Sequence, residues 1–306
     1  MDLLDARTAM DAVTLHVRDL DATTAYYRDG VGLEEIDPAA ATDRDLLGGV
    51  AEGACARGTE TVVLGRAGVP VVVLRRESDL PTAPAGQAGL FHTAIVFESP
   101  SALAAAVASL ARWAPQTFVG SADHLVSEAF YFTDPEGNGV ELYTDRPRGS
   151  WTWTGGRVHM DTVRLDPMRY LDEHLEPAGP GSPATSGRNG AEVGHVHLQV
   201  GDVGVARDFY VGLLGFEETA QVPGALFVAA GGYHHHMAMN SWNSRGAGPR
   251  AAALGLGQVS IRVPTADDVA ALAERLDRGG VAARHDGATL RFEDPWRTLV
   301  EVGSAG

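Results

Sequence analysis

The amino-acid sequence predicts an α+β fold in which four βαβββ modules form two curved-sheet domains. Three observations predict it: an internal repeat, short runs in which apolar residues alternate, and the composition of a globular protein. The chain has 306 residues, which corresponds to about two domains of ordinary size. Hydrophobic residues make up 44% of the chain and charged residues 21%, which is enough apolar material for a buried core.

An internal repeat relates the first and third quarters of the chain. Both quarters begin with an alternating, strand-like run, continue through an Asp into a helical stretch with paired aromatic residues, and then reach a turn that contains Gly. Short β-like runs follow in each. The two quarters align without a gap, and the aligned pairs are Asp19 with Asp202, Tyr27 with Tyr210, and Gly32 with Gly215.

The second and fourth quarters share a related pattern, in which a strand-like run is followed by a helical run and three short strand-like runs. An Asp-Pro pair precedes a Val-Glu pair at the same spacing in both: Asp134-Pro135 with Val140-Glu141, and Asp294-Pro295 with Val300-Glu301. We therefore interpret each quarter as one βαβββ module. The predicted modules one to four are 11–77, 88–146, 192–243 and 254–304, with a connector at 147–191.

The small sheet of a single module leaves one hydrophobic face open. The modules are therefore expected to pair and to close curved sheets around a cavity. The connector ends in a stretch rich in Gly and Pro, Pro177–Gly190, which is predicted to be a mobile linker.

The overall charge and the single cysteine argue against several classes of protein. A net charge of −16 disfavours nucleic acids and anionic membrane surfaces as partners, because both require clustered Lys and Arg. No window holds the roughly eighteen consecutive apolar residues of a membrane span, and the charged N-terminus is unlike a secretory signal. Cys55 is the only cysteine, so no intrachain disulfide can form and a cytoplasmic location is expected. With no His nearby, Cys55 is not expected to be a nucleophile.

Candidate metal ligands stand out among the eleven histidines. His92 and His195 each lie at the start of a module's first strand, and the run His234–His236 is predicted in the last strand of module three. Two imidazoles and one carboxylate on one face of a metal leave up to three cis positions open, enough for a bidentate substrate and dioxygen. Zinc hydrolysis would also tolerate this donor set, but it needs only one open position.

The stretch from His124 to Glu141 resembles the signature of the type I extradiol ring-cleaving dioxygenases. That signature has a His, five to seven residues, an apolar residue, Tyr, two residues, Asp-Pro, one residue, Gly and then Glu. All of these positions are met, and the single departure is Ala122, where Gly or a few other types are usual. The four modules are also similar to the fold of that family, the vicinal oxygen chelate superfamily, and the chain looks closest to its catechol 2,3-dioxygenase branch.

The resemblance implies a metal centre with a non-haem Fe(II), or alternatively Mn(II). Glu141 matches the carboxylate ligand and His92 one histidine ligand, while His195 fits the histidine that should open the first strand of a partner module. In better-known members the partner precedes the signature module. Here module one offers Ala12 where a ligand is needed, and module four offers Gln258 at the position of His92. We therefore predict that modules two and three enclose the metal and that modules one and four form a degenerate counterpart.

The resemblance also implies catalytic roles beside the metal. His235 matches the acid–base histidine, which lies in a His-His-x-Leu-Ala context near the last strand of the partner module. His124 and Tyr131 match residues that hydrogen-bond the substrate and its intermediates. His197 shares a strand face with His195, so that either could be the third metal ligand.

The predicted activity is extradiol, or meta, cleavage of catechol or a substituted catechol with dioxygen. The alternatives on this fold are a hydroquinone dioxygenase, a glyoxalase-type lyase or isomerase with Ni or Zn, and a non-catalytic protein that sequesters an aromatic drug. A complete ligand set counts against the last of these. The expected partners are a catecholic substrate and dioxygen, and the chain is expected to form a homo-oligomer of undetermined size.

Overall fold

The computed structural model describes residues 3–37, 60–176 and 190–305. Cys55 lies outside the described residues, as does the predicted linker Pro177–Gly190 except for its last residue. None of the helices in the described part of the chain is long and apolar enough to cross a membrane.

Each module consists of four strands and one α-helix in these ranges. Module one contains β1 (Ala9–Val17), α1 (Leu20–Ala25), β2 (Glu34–Ile36), β3 (Thr61–Arg66) and β4 (Val69–Arg76). Module two contains β5 (Gly89–Phe97), α2 (Pro100–Trp113), β6 (Phe118–Asp123), β7 (Ser127–Thr133) and β8 (Gly139–Asp145). The connector contains β9 (Trp153–Thr154), β10 (Arg157–Val158), β11 (Val163–Arg164) and α3 (Pro167–His174).

The second half of the chain repeats this order. Module three contains β12 (Ala191–Gln199), α4 (Val203–Arg207), β13 (Glu217–Val222), β14 (Ala225–Ala229) and β15 (Met237–Asn240). Module four contains β16 (Gly255–Val263), α5 (Ala266–Arg278), β17 (Ala283–His285), β18 (Thr289–Glu293) and β19 (Leu299–Ser304). Wider helical turns extend α1 and α4, at Tyr26–Val31 and Asp208–Leu213, and short 3-10 turns lie at Pro115–Thr117 and Arg148–Ser150.

The strands form two large sheets. The nine-stranded sheet has the order β11-β6-β7-β8-β5-β12-β15-β14-β13, and the eight-stranded sheet has the order β17-β18-β19-β16-β1-β4-β3-β2. Modules two and three are joined by antiparallel pairing of β5 with β12, and modules four and one by antiparallel pairing of β16 with β1. A single continuous sheet therefore carries both the signature module and the module that contains His195.

Strand alternation gives the nine-stranded sheet two different faces. On β8, the apolar side chains Val140 and Leu142 belong to the main hydrophobic core, into which α2 also packs. Glu141 and Tyr143 alternate with them and therefore point to the opposite face. That second face carries a smaller cluster of buried residues around Ala94 on β5 and the candidate functional side chains.

The paired aromatic residues of modules one and three are buried, as the repeat predicts, and they tie neighbouring modules together. The Tyr27 hydroxyl donates to Asp134 Oδ2 at 3.5 Å, and the Tyr210 hydroxyl donates to Asp294 Oδ2 at 3.0 Å. Each tyrosine thus holds the Asp-Pro turn of the next module. Because that turn leads into β8 or β19, the contact helps to place the strand that carries the Val-Glu pair shared by modules two and four.

One sequence prediction needs correction, and several short elements were not predicted. The run His234–His236 does not lie in the last strand of module three, because β15 begins at Met237. Gly231 and Gly232 adopt left-handed φ values of 64° and 69°, which turn the chain after β14, and the three imidazoles then take different partners in the segment before β15. The connector also contains three short strands and a helix that the sequence does not predict, and the sequence does not locate β2 or β13.

Candidate metal centre

Two histidines and one glutamate converge on the second face of the nine-stranded sheet. His92 on β5, Glu141 on β8 and His195 on β12 come from three adjacent strands. His92 Nε2 lies 3.0 Å from Glu141 Oε2, and His195 Nε2 lies 3.3 Å from the same oxygen. The candidate ligand atoms lie within 4.8 Å of one another, and they form the one such His/Cys/Asp/Glu group in the described residues.

Strand register brings these three side chains together. Ala94 on β5 is paired with Glu141 on one side and with His195 on the other, so the two lie across one strand. His92 lies two residues before Ala94 and therefore on the same face. The register between β5 and β12 shifts next to Gly194, where a Cβ would overlap the Tyr143 hydroxyl. A glycine is thus required beside the ligand position for β12 to approach β8 this closely.

The charges of this group suit a metal cation. Burial alone would raise the pKa of the Glu141 carboxyl, but the facing His195 and His92 outweigh it and hold that pKa well below its usual value. Burial lowers the pKa of His195 to about 4, although Glu141 opposes the shift. At neutral pH the site therefore presents an ionised carboxylate and a neutral imidazole with a lone pair.

A metal ion fits these residues because their hydrogen bonding is incomplete without one. All three side chains are buried, and the 3.0 Å contact of His92 Nε2 with Glu141 Oε2 lacks the geometry of a hydrogen bond. Buried polar atoms are seldom left unpaired. Two imidazole nitrogens and one carboxylate oxygen that converge in this way form a set of ligands for a divalent cation. His92, Glu141 and His195 would hold such an ion.

His197 has a different environment from His195. Its Nε2 lies 3.0 Å from Asn240 Nδ2, and Asn240 Oδ1 accepts a hydrogen bond from the Trp242 backbone N–H at 3.1 Å. The amide of Asn240 is thereby oriented to donate to His197, so the Nε2 lone pair is already in use. His197 therefore lines the site through its ring, which contacts the ring of Phe91 at a centroid distance of 4.9 Å.

Tyr131 and His124 form a hydrogen-bonded pair beside the carboxylate. Tyr131 on β7 is the register partner of Glu141, and its hydroxyl lies 2.7 Å from His124 Nε2. His124 Nδ1 lies 2.9 Å from the Asp161 carbonyl, which can only accept, so this nitrogen carries the proton and Nε2 accepts from Tyr131. Burial, together with the nearby Glu141, raises the pKa of Tyr131 well above its usual value, so that the phenol stays protonated.

His235 lies directly beside a candidate ligand. Its ring centroid is 4.1 Å from that of His195 and 5.1 Å from that of Phe227 on β14. Burial lowers the pKa of His235 well below its usual value, so the ring is neutral at pH 7. His236 instead accepts a hydrogen bond from the Ala230 backbone N–H through Nδ1 at 3.2 Å. The structure therefore brings all six site residues predicted from the sequence close together, whereas His236 bonds the backbone.

The equivalent position in the eight-stranded sheet is filled differently. Glu301 on β19 is buried, and its register partner on β18 is Arg291, whose Nε donates to Glu301 Oε2 at 2.5 Å. Gln258, which replaces a histidine, hydrogen-bonds Ser260 at 3.1 Å. A guanidinium already neutralises this carboxylate, so the pair of modules one and four has no set of metal ligands in its described residues.

Three further residues surround the site and were not predicted from the sequence. Asp145 contacts His234, Tyr233 contacts Tyr143, and the Asp161 carbonyl anchors His124. Asp145 could have been found, because it lies four residues after Glu141 and thus on the same strand face. Asp161 could not, since it belongs to the connector and meets His124 only through pairing of β11 with β6.

Comparison with known proteins identifies the family. Residues 192–302 match the model of the Glyoxalase/Bleomycin resistance protein/Dioxygenase superfamily. The chain is also 37% identical over 211 residues to a catechol-2,3-dioxygenase from Bacillus subtilis, an alignment that covers 68% of this chain and 72% of the relative. The chain belongs to this superfamily. The resemblance predicted from the signature is thus confirmed at the family level.

Solved structures confirm the fold of the superfamily. The chain resembles the crystal structure of a Bacillus subtilis protein named as a candidate dioxygenase, with a TM-score of 0.63, 14% identity, and coverage of 99% of this chain and 86% of the other. Glyoxalase I from Zea mays is similar with a TM-score of 0.53, 15% identity, and coverage of 97% and 92%. The α+β class with two curved-sheet domains, characteristic of the vicinal oxygen chelate superfamily, is therefore confirmed.

Proposed function

We propose that this superfamily member cleaves the ring of catechol or a substituted catechol beside its two hydroxyls, using dioxygen and an Fe(II) held by His92, Glu141 and His195. The observation that carries the proposal is the buried convergence of two imidazoles and one ionised carboxylate on a single face of the sheet. Support comes from the relative named a catechol-2,3-dioxygenase. Mn(II) would fit the same donors.

The metal would supply the redox chemistry and the open coordination sites that bring the two reactants together. Around it, the protein's own groups handle protons. His235 is a neutral imidazole beside the ligand His195, so it can take a proton from a catechol hydroxyl and return it later. Tyr131, whose hydroxyl His124 orients, can position an oxygen of the substrate.

The walls of the site suit a flat aromatic ring. Phe91, His197 and Trp242 form a cluster of edge-on contacts, with centroid distances of 4.9 Å between Phe91 and His197 and 5.6 Å between His197 and Trp242. Trp242 is 50% exposed and stands at the edge of the cluster. Aromatic faces favour another ring in offset or edge-on packing.

The proposal is tested by turnover under defined metal loading. Protein purified without oxygen and loaded with Fe(II) should turn catechol into a yellow ring-opened semialdehyde when air is admitted. Isotopically labelled dioxygen should place both of its oxygen atoms in that product, which balances the reaction as catechol plus dioxygen. Absence of product across simple and substituted catechols, with iron bound, would contradict the substrate assignment.

The same preparation separates the rival activities. Nickel or zinc in freshly isolated protein, with no oxygen uptake, would favour a lyase or isomerase of the glyoxalase kind. Cleavage of hydroquinone but not of catechol would favour a hydroquinone dioxygenase. Tight binding of an aromatic drug by protein that never binds metal would favour a sequestering protein.

Replacing Tyr131 by phenylalanine should lower kcat for catechol about 10-fold and leave metal content unchanged, because one oriented hydrogen bond to the reacting groups is lost. Tyr170→Phe is the matched control. Tyr170 also loses a hydroxyl, but it packs against Phe130 on the other face of the sheet, so its kcat should equal that of the wild type. Steady-state rates and metal analysis of both variants check the prediction, and equal rates for Tyr131→Phe and wild type would contradict it.

A further inference from the structure

We propose that Asp145 and His234 form a relay of positioning residues that holds His235 in one tautomer, with its proton on Nδ1 and the lone pair of Nε2 available to the site. The relay runs from the end of β8, the strand that carries Glu141, through the imidazole of His234 to that of His235. The catalytic purpose of the relay rests on the proposed function, since it is there that His235 moves protons. The tautomer itself is a property of the folded chain.

The first link joins Asp145 to His234. His234 Nε2 lies 2.9 Å from Asp145 Oδ1, and His234 is fully buried while the Asp145 side chain is 27% exposed. An ionised carboxylate can only accept a hydrogen bond. His234 must therefore carry a proton on Nε2, and in the proposed relay its ring holds no second proton, which leaves Nδ1 bare.

The second link joins the two neighbouring imidazoles. His234 Nδ1 lies 2.7 Å from His235 Nδ1. Because the nitrogen of His234 is bare, that of His235 must donate, and a neutral ring protonated on Nδ1 has an unprotonated Nε2. This is the form that can accept a proton. The ring of His235 also packs at 4.1 Å from the ring of His195, which places it beside the candidate metal ligands.

A buried aromatic shell fixes the geometry of the relay. The ring of His234 stacks at 4.1 Å from that of Tyr233 and lies 5.3 Å from that of Trp151. The hydroxyls of Tyr233 and Tyr143 are 2.7 Å apart, which holds the ring of Tyr233 in place. The rings of Tyr233 and Trp151 thus restrict the rotation of His234.

The third histidine of the run supplies an internal contrast. His236 is as buried as His235, but its Nδ1 accepts from the Ala230 backbone N–H, and no carboxylate of the described residues hydrogen-bonds its ring. A histidine run that only filled space or bonded the backbone would not require the contact between His234 and Asp145. A carboxylate, an imidazole and a second imidazole in series instead match the arrangement in which an Asp orients a catalytic histidine without taking its proton.

Two measurements on the full chain test the relay. NMR of labelled histidine ring nitrogens, with Zn(II) bound as a diamagnetic probe, should show His234 protonated on Nε2 and His235 on Nδ1. In Asp145→Ala the His235 signal should shift toward a mixture of tautomers. With Fe(II) bound, Asp145→Ala should lower kcat for catechol roughly 100-fold while KM changes less than about threefold, as expected when general-base catalysis is impaired. Asp145→Glu should restore most of that loss.

Control variants separate the relay from general structural damage. Glu128→Ala removes another carboxylate from the same sheet, but Glu128 binds Arg146, which keeps its contact with Asp123, so tautomer and kcat should match the wild type. His234→Phe keeps the aromatic volume and should reproduce the kinetic loss even if Asp145→Ala folds poorly. A wild-type His235 protonated on Nε2, or a tautomer unchanged in both relay variants, would overturn the proposal. The expected tautomers without any ring cleavage would instead refute the proposed function alone.

Discussion

Replacing His195 by alanine should abolish metal retention and ring cleavage together. His195 supplies one of two imidazoles in the triad, and its removal leaves His92 and Glu141, which offer too few donors to retain a divalent ion through purification. Because the metal is expected to bring catechol and dioxygen together, activity should fall by at least about 1000-fold. Metal analysis after desalting and oxygen uptake with catechol measure the two effects.

A pair of glutamate variants controls for damage to the fold. Glu141 and Glu301 occupy equivalent strand positions, one facing two histidines and the other facing Arg291. Glu141→Gln should lose the metal, whereas Glu301→Gln should retain it even though both change a buried carboxylate to an amide. Retention of stoichiometric metal by both His195→Ala and Glu141→Gln would contradict the assigned ligands. His197→Ala then tests the other histidine of that strand, and it should keep the metal.

The contrast between the two sheets explains why repetition does not imply two sites. The same βαβββ order places a glutamate at the same point of β8 and of β19. In the nine-stranded sheet the side chains that face the buried carboxylate are those of His92 and His195. In the eight-stranded sheet Arg291 already supplies the positive charge, which a buried carboxylate needs in either case.

Local pattern predicted the α+β class with curved sheets, since strand alternation and helix-initiating residues are properties of short segments. The spacing from His124 to Glu141 likewise predicted residues that the structure brings together, because that segment forms two paired strands, β7 and β8. His195 was predicted by elimination among modules, and the pairing of β5 with β12 places it next to His92.

What the sequence could not predict depends on contacts between distant segments. The carbonyl of Asp161 orients His124 only because β11 of the connector adds to the edge of the nine-stranded sheet. Strand alternation also does not apply to His234–His236, because these residues are not in a strand. Their side chains are oriented by hydrogen bonds: His234 to Asp145, His235 to His234, and His236 to the Ala230 N–H. Side-chain direction outside regular structure follows from tertiary partners, and no periodicity encodes it.

Replacing His235 by glutamine should lower kcat for catechol about 1000-fold while the protein keeps its full complement of metal. A glutamine fills similar space, but it cannot exchange a proton near neutral pH, and general acid–base catalysis by a positioned imidazole contributes about 100- to 10,000-fold. His235 packs on His195 without belonging to the triad, so the ligands should be undisturbed. Pre-steady-state mixing with catechol under anaerobic conditions should show slower loss of the substrate proton.

His236→Gln is the matched control, because it makes the same change one residue later in the same segment. His236 bonds the Ala230 backbone N–H, so its loss should cost some stability and leave kcat within about twofold of the wild type. If His235→Gln lost its metal, the residue would be a support for the ligands and not the proton carrier. If both variants kept wild-type kcat, proton transfer would have to use another group, and Tyr131 beside Glu141 would be the next to test.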